Sequence, residues 1–219
     1  MSDLSAKNLV VFDFDGTLVD SMPGIVATAR KVMHAHGWSD PELGDMRRLV
    51  GPPFPQAFTE VYGLSEEEAL QVTKEYRAIY ENLGRDGWPL IDGVRELLRD
   101  LKAAGKLLAT ASSKRQFLLE RGLETNGVLD LFDCPMAKQA DFGDSKEAAL
   151  GRVLESLGVS ASDAVMVGDR CYDARAARAC GVDCVGVLYA DTAPRSELEE
   201  AGCAVVADTV DDLRSILLG

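Results

Sequence analysis

The hydrophobic pattern of the chain changes near residue 88. Before that point there is one short apolar run, at residues 9–14, after which apolar positions recur at helical spacing without a second strand signal. A capping box at Ser65 begins one predicted helix, and Pro52, Pro53 and Pro55 exclude a helix interior near residue 53. The predicted helices of this part are residues 23–36, ending at Gly37, and 65–83. We therefore expect one strand followed by a helical segment, residues 19–88.

After a linker at residues 84–89, strand and helix patterns alternate to the end of the chain. The predicted strands are residues 107–111, 132–136, 164–168, 184–188 and 204–207. The predicted helices are residues 92–105, capped by Asp92, one from about Lys114, 145–157, one ending at Cys180, one near Arg195 and one from Val210. Such units predict an α/β fold with a parallel sheet and helices on both faces. We expect a Rossmann-like core, residues 1–18 and 89–219, with the helical segment inserted as a candidate lid.

Composition narrows the possible partners. The chain has 219 residues and a formal net charge of −13. Duplex nucleic acid is therefore not expected as a partner, because no basic run is available to neutralise phosphates. A small anionic substrate remains possible if a metal ion and local cations set the charge of its pocket.

Cysteine spacing and hydropathy indicate the compartment. The five cysteines are odd in number, scattered and without a Cys-x-x-Cys pair, so we expect reduced thiols rather than disulfides or a zinc site. The first residues lack the apolar stretch of a signal peptide, and no run of eighteen apolar residues occurs. We expect a cytoplasmic protein without membrane attachment, monomeric or homodimeric.

The end of the first predicted strand carries the strongest chemical signal. Asp13 and Asp15 are two residues apart, so both side chains leave the strand on the same side, and Gly16 follows at once. Parallel α/β sheets place their ligands at such strand ends. Two like charges there repel each other unless a cation lies beside them, and a hard divalent cation is the usual solution. A carboxylate nucleophile, a second carboxylate and a cation are typical of phosphoryl-transfer chemistry.

Three further motifs lie at strand ends. Ser112 and Ser113 stand where a strand turns into a predicted helix, which suits phosphate binding, although an ordinary N-cap serine is the alternative. Lys146 precedes a helix and, taken alone, also fits a solvated lysine of a first turn. Asp169 and Asp173 are one helical turn apart and can face one pocket, although acidic helix starts are common for dipole reasons.

Together and in this order, these motifs resemble the haloacid dehalogenase-like hydrolase superfamily. The resemblance covers essentially the whole chain, and the helical segment resembles the small helical cap of that superfamily. The phosphoglycolate phosphatase-like branch, which also holds proteins described as 5′-nucleotidases, is the most similar. The segments that carry this likeness are residues 18–21, 50–53, 111–114 and 167–173. By analogy, the strand before Asp13 lies near the centre of the sheet.

The resemblance implies a role for each acidic motif residue. Asp13 is expected to be the nucleophile that forms an aspartyl-phosphate, and Asp15 the general acid and then the general base. Mg²⁺ is expected to bind the Asp13 carboxylate, the Asp15 backbone carbonyl and Asp169. Asp173 is expected either to hold a metal-bound water or to orient Lys146.

The resemblance also implies how phosphate is bound. Ser112, with Ser113 and the backbone N–H groups around it, and Lys146 are expected to bind phosphate oxygens and stabilise the transition-state charge. The N–H groups of Phe14 and Gly16 could donate to the same oxygens.

Departures from the family pattern limit the alternatives. Ser112 replaces the threonine that is common in the second motif and keeps its hydroxyl. Dehalogenases lack the second aspartate of the first motif, so Asp15 argues against dehalogenation. Arg170 fits a phosphatase, whereas phosphoglucomutase relatives often have Glu-Asp-Ser there. A phosphonate-cleaving relative needs a Schiff-base lysine in the cap, for which Lys31 and Lys74 are better explained as helix-surface lysines.

The helical segment is expected to determine the substrate. Arg48 is the candidate cation for a substrate carboxylate or a second phosphate, with a surface arginine as the equal alternative. His34 and His36 lie in the last turn before Gly37, where the helix dipole alone explains a histidine.

We therefore expect a magnesium-dependent phosphatase of small phosphate monoesters that resembles phosphoglycolate phosphatase. The alternatives are a 5′-nucleotidase or a sugar-phosphate phosphatase or phosphoglucomutase of the same superfamily. Outside enzymes, the alternative is a phospho-accepting signalling or binding domain.

Overall fold

A six-stranded parallel sheet forms the centre of the molecule. In the computed structural model, which describes residues 3–50, 52–140 and 144–219, the strand order is β3-β2-β1-β4-β5-β6. The strands are β1 (Leu9–Phe12), β2 (Leu107–Arg115), β3 (Cys134–Lys138), β4 (Ala164–Gly168), β5 (Asp183–Val187) and β6 (Val205–Ala207). β1 lies between β2 and β4, so its central position and the predicted α/β class are confirmed.

Ten α-helices surround this sheet within the described residues. Four of them lie between β1 and β2: α1 (Met22–Ala35), α2 (Asp40–Leu43), α3 (Gln56–Tyr62) and α4 (Glu66–Tyr80). The others are α5 (Val94–Ala103), α6 (Gln116–Thr125), α7 (Lys146–Leu157), α8 (Cys171–Ala179), α9 (Arg195–Ala201) and α10 (Val210–Leu218). Both α1 and α3 pack against α4. The sequence pattern predicted α1 and α4 but neither α2 nor α3.

The alternation of side chains along β1 divides the core into two layers. Val10 and Phe12 belong to an apolar cluster with α5, α6, α10 and the helices that precede residue 88. Leu9 and Val11 point to the opposite face and join a second cluster with α7 and α8. All four β1 side chains are buried, which is why a continuous apolar run, rather than an alternating one, encodes this strand.

Most predicted boundaries agree with the structure within three residues, but the end of β2 and the start of α5 need a physical explanation. β2 does not end at residue 111, because its pairing with β3 continues past an irregularity from Ser112 to Arg115. α6 therefore begins at Gln116, and Arg115, not a serine, is its N-terminal flanking residue. Asp92 does not cap α5 either: Gly93, in the left-handed region at φ 83°, occupies that position.

The register of the three central strands brings their carboxyl ends to one level. Phe12 of β1 pairs with Thr110 of β2 on one side and with Val167 of β4 on the other. The chain connections diverge at this point, which is the switch point where open α/β sheets bind ligands. The segments that follow these three strands carry the predicted site residues. None of the described helices is both long enough and apolar enough to cross a bilayer.

Candidate active site

Three buried carboxylates meet where β1 and β4 end. Asp13 follows β1 and is 4% exposed, and its backbone N–H donates to the Val167 carbonyl at 2.9 Å. Asp169 follows β4, and Asp173 lies in the first turn of α8. One oxygen from each of these carboxylates lies within 4.8 Å of the others. The two strand ends therefore converge on one acidic cluster.

Lys146 neutralises part of this cluster. Its Nζ donates to Asp13 Oδ2 at 2.8 Å and to Asp173 Oδ1 at 2.7 Å. The residue is 6% exposed, so the solvated alternative for Lys146 does not apply. Ser145 caps α7 by accepting the N–H of Ala148, which places Lys146 at the start of the helix and directs it to the strand ends.

Asp173 has both carboxylate oxygens engaged. Besides the bond from Lys146, its Oδ2 accepts the backbone N–H of Arg170 at 3.0 Å. A Cβ at Gly168 would overlap this carboxylate, so the close approach requires glycine there. Of the two expected roles for Asp173, this geometry matches the orientation of Lys146.

Asp13 and Asp169 each keep one oxygen without a hydrogen-bond partner among the described residues, Asp13 Oδ1 and Asp169 Oδ2. The other Asp169 oxygen accepts from Thr17 Oγ1 at 3.0 Å. Burial, together with the neighbouring carboxylates, raises the pKa of Asp13 to about 6 and that of Asp169 to about 8. Two buried carboxylates that each keep an unpartnered oxygen and approach within 4.8 Å of each other offer the ligand atoms that a hard divalent cation prefers. The residues present therefore fit such a cation.

Asp15 points away from this cluster towards Lys114. Lys114 Nζ donates to both Asp15 oxygens, at 2.7 and 3.0 Å, and also contacts the Tyr80 hydroxyl at 3.2 Å. The Asp15 side chain keeps 18% of its surface exposed, at the wall of a cavity above the acidic cluster. Sequence reasoning did not assign a role to Lys114. The predicted end of the strand at residue 111 hid this role, because the sequence pattern places Lys114 at the start of a helix, whereas β2 continues to Arg115.

The residues expected to bind phosphate fall into two groups. Ser112 and Ser113 line the cavity together with Asp13, and the Ser112 Oγ accepts the backbone N–H of Lys114 at 3.2 Å. The backbone N–H of Gly16 does not match the expectation, since it donates to the Val19 carbonyl at 2.9 Å. The Phe14 side chain is fully buried in the apolar cluster with Val10 and Phe12, and donation by the Phe14 N–H to phosphate stays a prediction.

Arg48 does not reach the cavity formed by the described residues. It lies on a short 3-10 helix, Met46–Leu49, in which Met46 and Leu49 are buried, so that Arg48 faces solvent. Arg77 and Arg115 line the cavity instead. Gly51, which follows Arg48 within residues 50–53 of the family likeness, lies outside the described residues.

The two histidines also lie away from the cavity that the described part of the chain forms. His34 Nε2 is 3.1 Å from Asp40 Oδ1, and His36 Nε2 is 2.9 Å from Glu75 Oε2, both at the surface. Both histidines therefore contact surface carboxylates near the end of α1, where the helix dipole alone also favours a histidine.

Comparison with known proteins identifies the family. The family model described as "Haloacid dehalogenase-like hydrolase" matches residues 10–187. The chain belongs to this family. The predicted resemblance, and with it the expectation of an enzyme of the hydrolase class, is confirmed.

Individual relatives carry different names. A 5′-nucleotidase of Pseudomonas aeruginosa is 30% identical over 187 residues, which are 82% of each chain. The tyrosine-protein kinase PtkA of Mycobacterium tuberculosis is 36% identical over 216 residues, or 97% of this chain and 73% of PtkA. A phosphoglycolate phosphatase of Pseudomonas fluorescens is 30% identical and aligns over 96% of this chain and 79% of its own length.

The fold of this family member has close counterparts among crystal structures. One described as "a predicted phosphatase from Clostridium acetobutylicum" superposes with a TM-score of 0.91 at 32% identity, over 98% of this chain and 99% of the other. The match includes the helices between β1 and β2 as well as the sheet.

Proposed function

We propose that this hydrolase is a magnesium-dependent phosphatase that cleaves small phosphate monoesters through an aspartyl-phosphate. The observation that carries the proposal is the pair of unpartnered oxygens, Asp13 Oδ1 and Asp169 Oδ2, buried beside the ammonium group of Lys146. A nucleophilic carboxylate, a cation site and a fixed positive charge for the phosphate are then adjacent.

In the first step an Asp13 carboxylate oxygen attacks phosphorus, and the bond between phosphorus and the ester oxygen breaks. Asp15, as the carboxylic acid, gives its proton to the departing oxygen, so that the alcohol leaves neutral. In the second step Asp15, now a carboxylate, takes a proton from water while the water oxygen attacks phosphorus. The bond from phosphorus to Asp13 breaks, inorganic phosphate leaves, and both aspartates return to their starting states.

Asp13, Asp169 and the backbone carbonyl of Asp15 would hold the magnesium ion. When bound, the ion neutralises negative charge on the phosphate and on the two carboxylates. Lys146 and Ser112 bind phosphate oxygens, and Asp173 keeps Lys146 in place through the 2.7 Å bond. Because Asp173 already has two partners for its oxygens, we assign it to orientation rather than to the metal.

The helical segment serves as a cap domain in this proposal, with residues 19–88 as cap and residues 1–18 and 89–219 as core. Ile25, Leu49, Phe54 and Tyr76 of the segment form the apolar wall of the cavity that opens above Asp13. A phosphate held at Asp13 would therefore place its leaving group against the cap. Phosphoglycolate is the first candidate, with Arg115 at the wall as a cation for its carboxylate.

A 5′-nucleotide is the second candidate, and the aromatic wall favours it. Phe54 and Tyr76 meet edge to face with ring centroids 4.8 Å apart, and Tyr76 stacks on Tyr80 at 5.0 Å. Flat apolar surfaces of this kind suit a nucleobase. The name of the Pseudomonas aeruginosa relative agrees with this candidate.

The test is phosphate release from p-nitrophenyl phosphate with magnesium and after metal removal, followed by phosphoglycolate, nucleoside monophosphates and sugar phosphates. We expect metal-dependent turnover, and a loss of at least about 1,000-fold in Asp13→Asn with an unchanged circular dichroism spectrum. Asp130→Asn, at an exposed position of the short helix Leu129–Leu131, is the matched control and should retain full activity. Absence of turnover with every divalent metal would refute the proposal and favour a binding domain.

A further inference from the structure

Lys114 carries a buried charge that has no role in the site as described so far. It contacts none of the three clustered carboxylates and is not one of the residues expected to bind phosphate. It is 9% exposed at the end of β2, and both Asp15 oxygens accept hydrogen bonds from its Nζ. Burial alone would lower the pKa of Lys114, but the charge of Asp15 outweighs burial and raises it, so the ammonium form persists.

Three aromatic rings enclose this ammonium group. Its Nζ lies 5.2 Å from the ring centroid of Phe14, 5.0 Å from that of Tyr80 and 5.7 Å from that of Trp88. These distances are within the range of cation–π attraction, and the rings screen the ion pair from solvent. The Lys114 side chain therefore has little freedom to move, and Asp15 is held through it.

The same group joins the sheet to the helices that precede residue 88. Tyr80 is the last residue of α4, and its hydroxyl lies 3.2 Å from Lys114 Nζ. Tyr80 stacks on Tyr76 and contacts Trp88 edge to face, at centroid distances of 5.0 and 5.3 Å. A displacement of α4 relative to β2 would thus be transmitted to Lys114 and from there to Asp15.

We propose that Lys114 is a positioning residue for Asp15 and that the Tyr80 hydroxyl couples it to α4. This inference rests on the role of Asp15 as general acid and base under the proposed function. The Tyr80–Lys114–Asp15 chain fixes the Asp15 carboxyl group beside the cavity. In the acid form, one Asp15 oxygen keeps its hydrogen bond from Lys114 while the other carries the proton, and a shift of α4 over a bound substrate adjusts the direction of that proton towards the departing oxygen.

Stability alone is a weak explanation for a lysine here. Replacement of a buried ion pair by apolar residues of similar size is often neutral or stabilising, and the aromatic pocket would accept such a side chain. Orientation, in contrast, is decisive for a general acid, which must lie within hydrogen-bond reach of the atom it protonates.

Substrates with different leaving groups distinguish a positioning role of Lys114 from a role in stability alone. An alkoxide needs the proton from Asp15, whereas p-nitrophenolate departs without it. The ratio of kcat/KM for glycerol phosphate, an alkyl ester whose alcohol carries no charge that Lys114 could bind, to kcat/KM for p-nitrophenyl phosphate therefore measures the acid, because kcat/KM reports the steps up to the aspartyl-phosphate. A loss of packing would lower both values and leave the ratio unchanged.

The test variant is Lys114→Met, which keeps most of the stem and removes the charge. We expect the ratio to fall about tenfold or more, part of the 10²- to 10⁴-fold typical of general acid catalysis. Tyr80→Phe should lower the ratio less and in the same direction. Tyr62→Phe is the matched control: its hydroxyl donates to the Leu43 carbonyl at 3.2 Å, away from the cavity, and the ratio should not change.

An unchanged ratio in folded Lys114→Met and in Tyr80→Phe would overturn the inference. If thermal unfolding shows that Lys114→Met does not fold, Tyr80→Phe decides alone, and an unchanged ratio there has the same meaning. Asp15→Asn distinguishes this failure from failure of the proposed function. If the ratio falls in Asp15→Asn but does not change in the other two variants, Asp15 is still the general acid, but Lys114 does not position it. An inactive wild type, or an active Asp13→Asn, overturns both.

Discussion

Single atoms decide the chemistry of this site. Lys146 engages one oxygen of Asp13 and one of Asp173, and the Arg170 N–H takes the second oxygen of Asp173. What remains without a partner among the described residues is one oxygen each on Asp13 and Asp169. The arrangement depends on the absence of a side chain at Gly168, where a methyl group would occupy the place of the Asp173 carboxylate.

Gly168→Ala tests this dependence. Asp173 must move away from the new methyl group and lose its bonds to Lys146 and to the Arg170 N–H, because both depend on its present position. We expect a loss of about 1–3 kcal/mol in the free energy of unfolding, as for overpacked cores, and lower turnover of p-nitrophenyl phosphate. Urea denaturation and the phosphatase assay measure the two effects.

Gly151→Ala is the matched control for that prediction. Gly151 lies inside α7, and a Cβ there meets no atom within 4 Å. The same substitution should therefore stabilise the protein by about 0.5–1 kcal/mol, the usual gain of alanine over glycine in a helix. Equal effects at both positions would contradict the steric argument.

Among the elements, α4 matters most for the site because it carries Tyr76 and Tyr80 to the cavity wall. A reciprocal capping box fixes its start: Ser65 Oγ accepts the Glu68 N–H at 3.3 Å, and Glu68 Oε2 accepts the Ser65 N–H at 2.9 Å. Its apolar face, with Ala69, Val72 and Tyr76, is buried against α1 and α3. Local capping and tertiary packing thus act together in this helix.

Ser65→Ala removes the cap and leaves one backbone N–H of α4 without its acceptor. We expect the free energy of unfolding to fall by about 1 kcal/mol, since loss of an N-cap serine has that typical effect. Chemical denaturation followed by far-ultraviolet circular dichroism gives the value. Ser215→Ala, exposed within α10 and bonded to the Asp211 carbonyl, should change stability by less than about 0.5 kcal/mol. A Ser65→Ala effect no larger than that of Ser215→Ala would exclude a role for the cap.

At the scale of the whole molecule, the buried carboxylates connect stability to pH and to cations. The ordinary pKa of an aspartate, 3.8, is raised to about 6 at Asp13 and to about 8 at Asp169 by burial and by neighbouring charge. The folded state therefore binds more protons than the unfolded state between about pH 4 and pH 8. The contribution of these two groups to the free energy of unfolding is therefore fully present below about pH 4. It is lost as pH rises through the pKa values that the groups have in the folded state.

The melting temperature of the metal-free protein should therefore fall as pH rises from about 5.5 to 8.5. Magnesium should raise the melting temperature again by several degrees. The increase should be larger at pH 8.5 than at pH 5.5, because the ion binds ionised carboxylates and more of them are ionised at the higher pH. Scanning calorimetry with EDTA or magnesium tests both statements. Asp169→Asn removes the group with the larger pKa shift and should make the melting temperature depend less on both pH and magnesium. A melting temperature that rises over this range in the presence of EDTA would contradict the prediction.

Local sequence determined the strand order and the helices except α2 and α3, together with the acidic strand ends after β1 and β4 and Lys146 at the start of α7. These features depend on the periodicity of apolar residues and on capping within a few positions, which a linear pattern contains. The expectation that Asp13 and Asp169 share a cation came from the family resemblance, and the gathering of ligands at the carboxyl ends of parallel strands is its physical basis.

Tertiary structure alone decided the pairs that join distant parts of the chain. Asp15 binds Lys114, 99 residues away, and Asp169 receives the Thr17 hydroxyl across 152 residues. β2 continues to Arg115 because β3 pairs with it, and Arg48 faces solvent because Met46 and Leu49 are buried. Each outcome depends on which surfaces the folded core brings together, and residue order along the chain does not specify that contact.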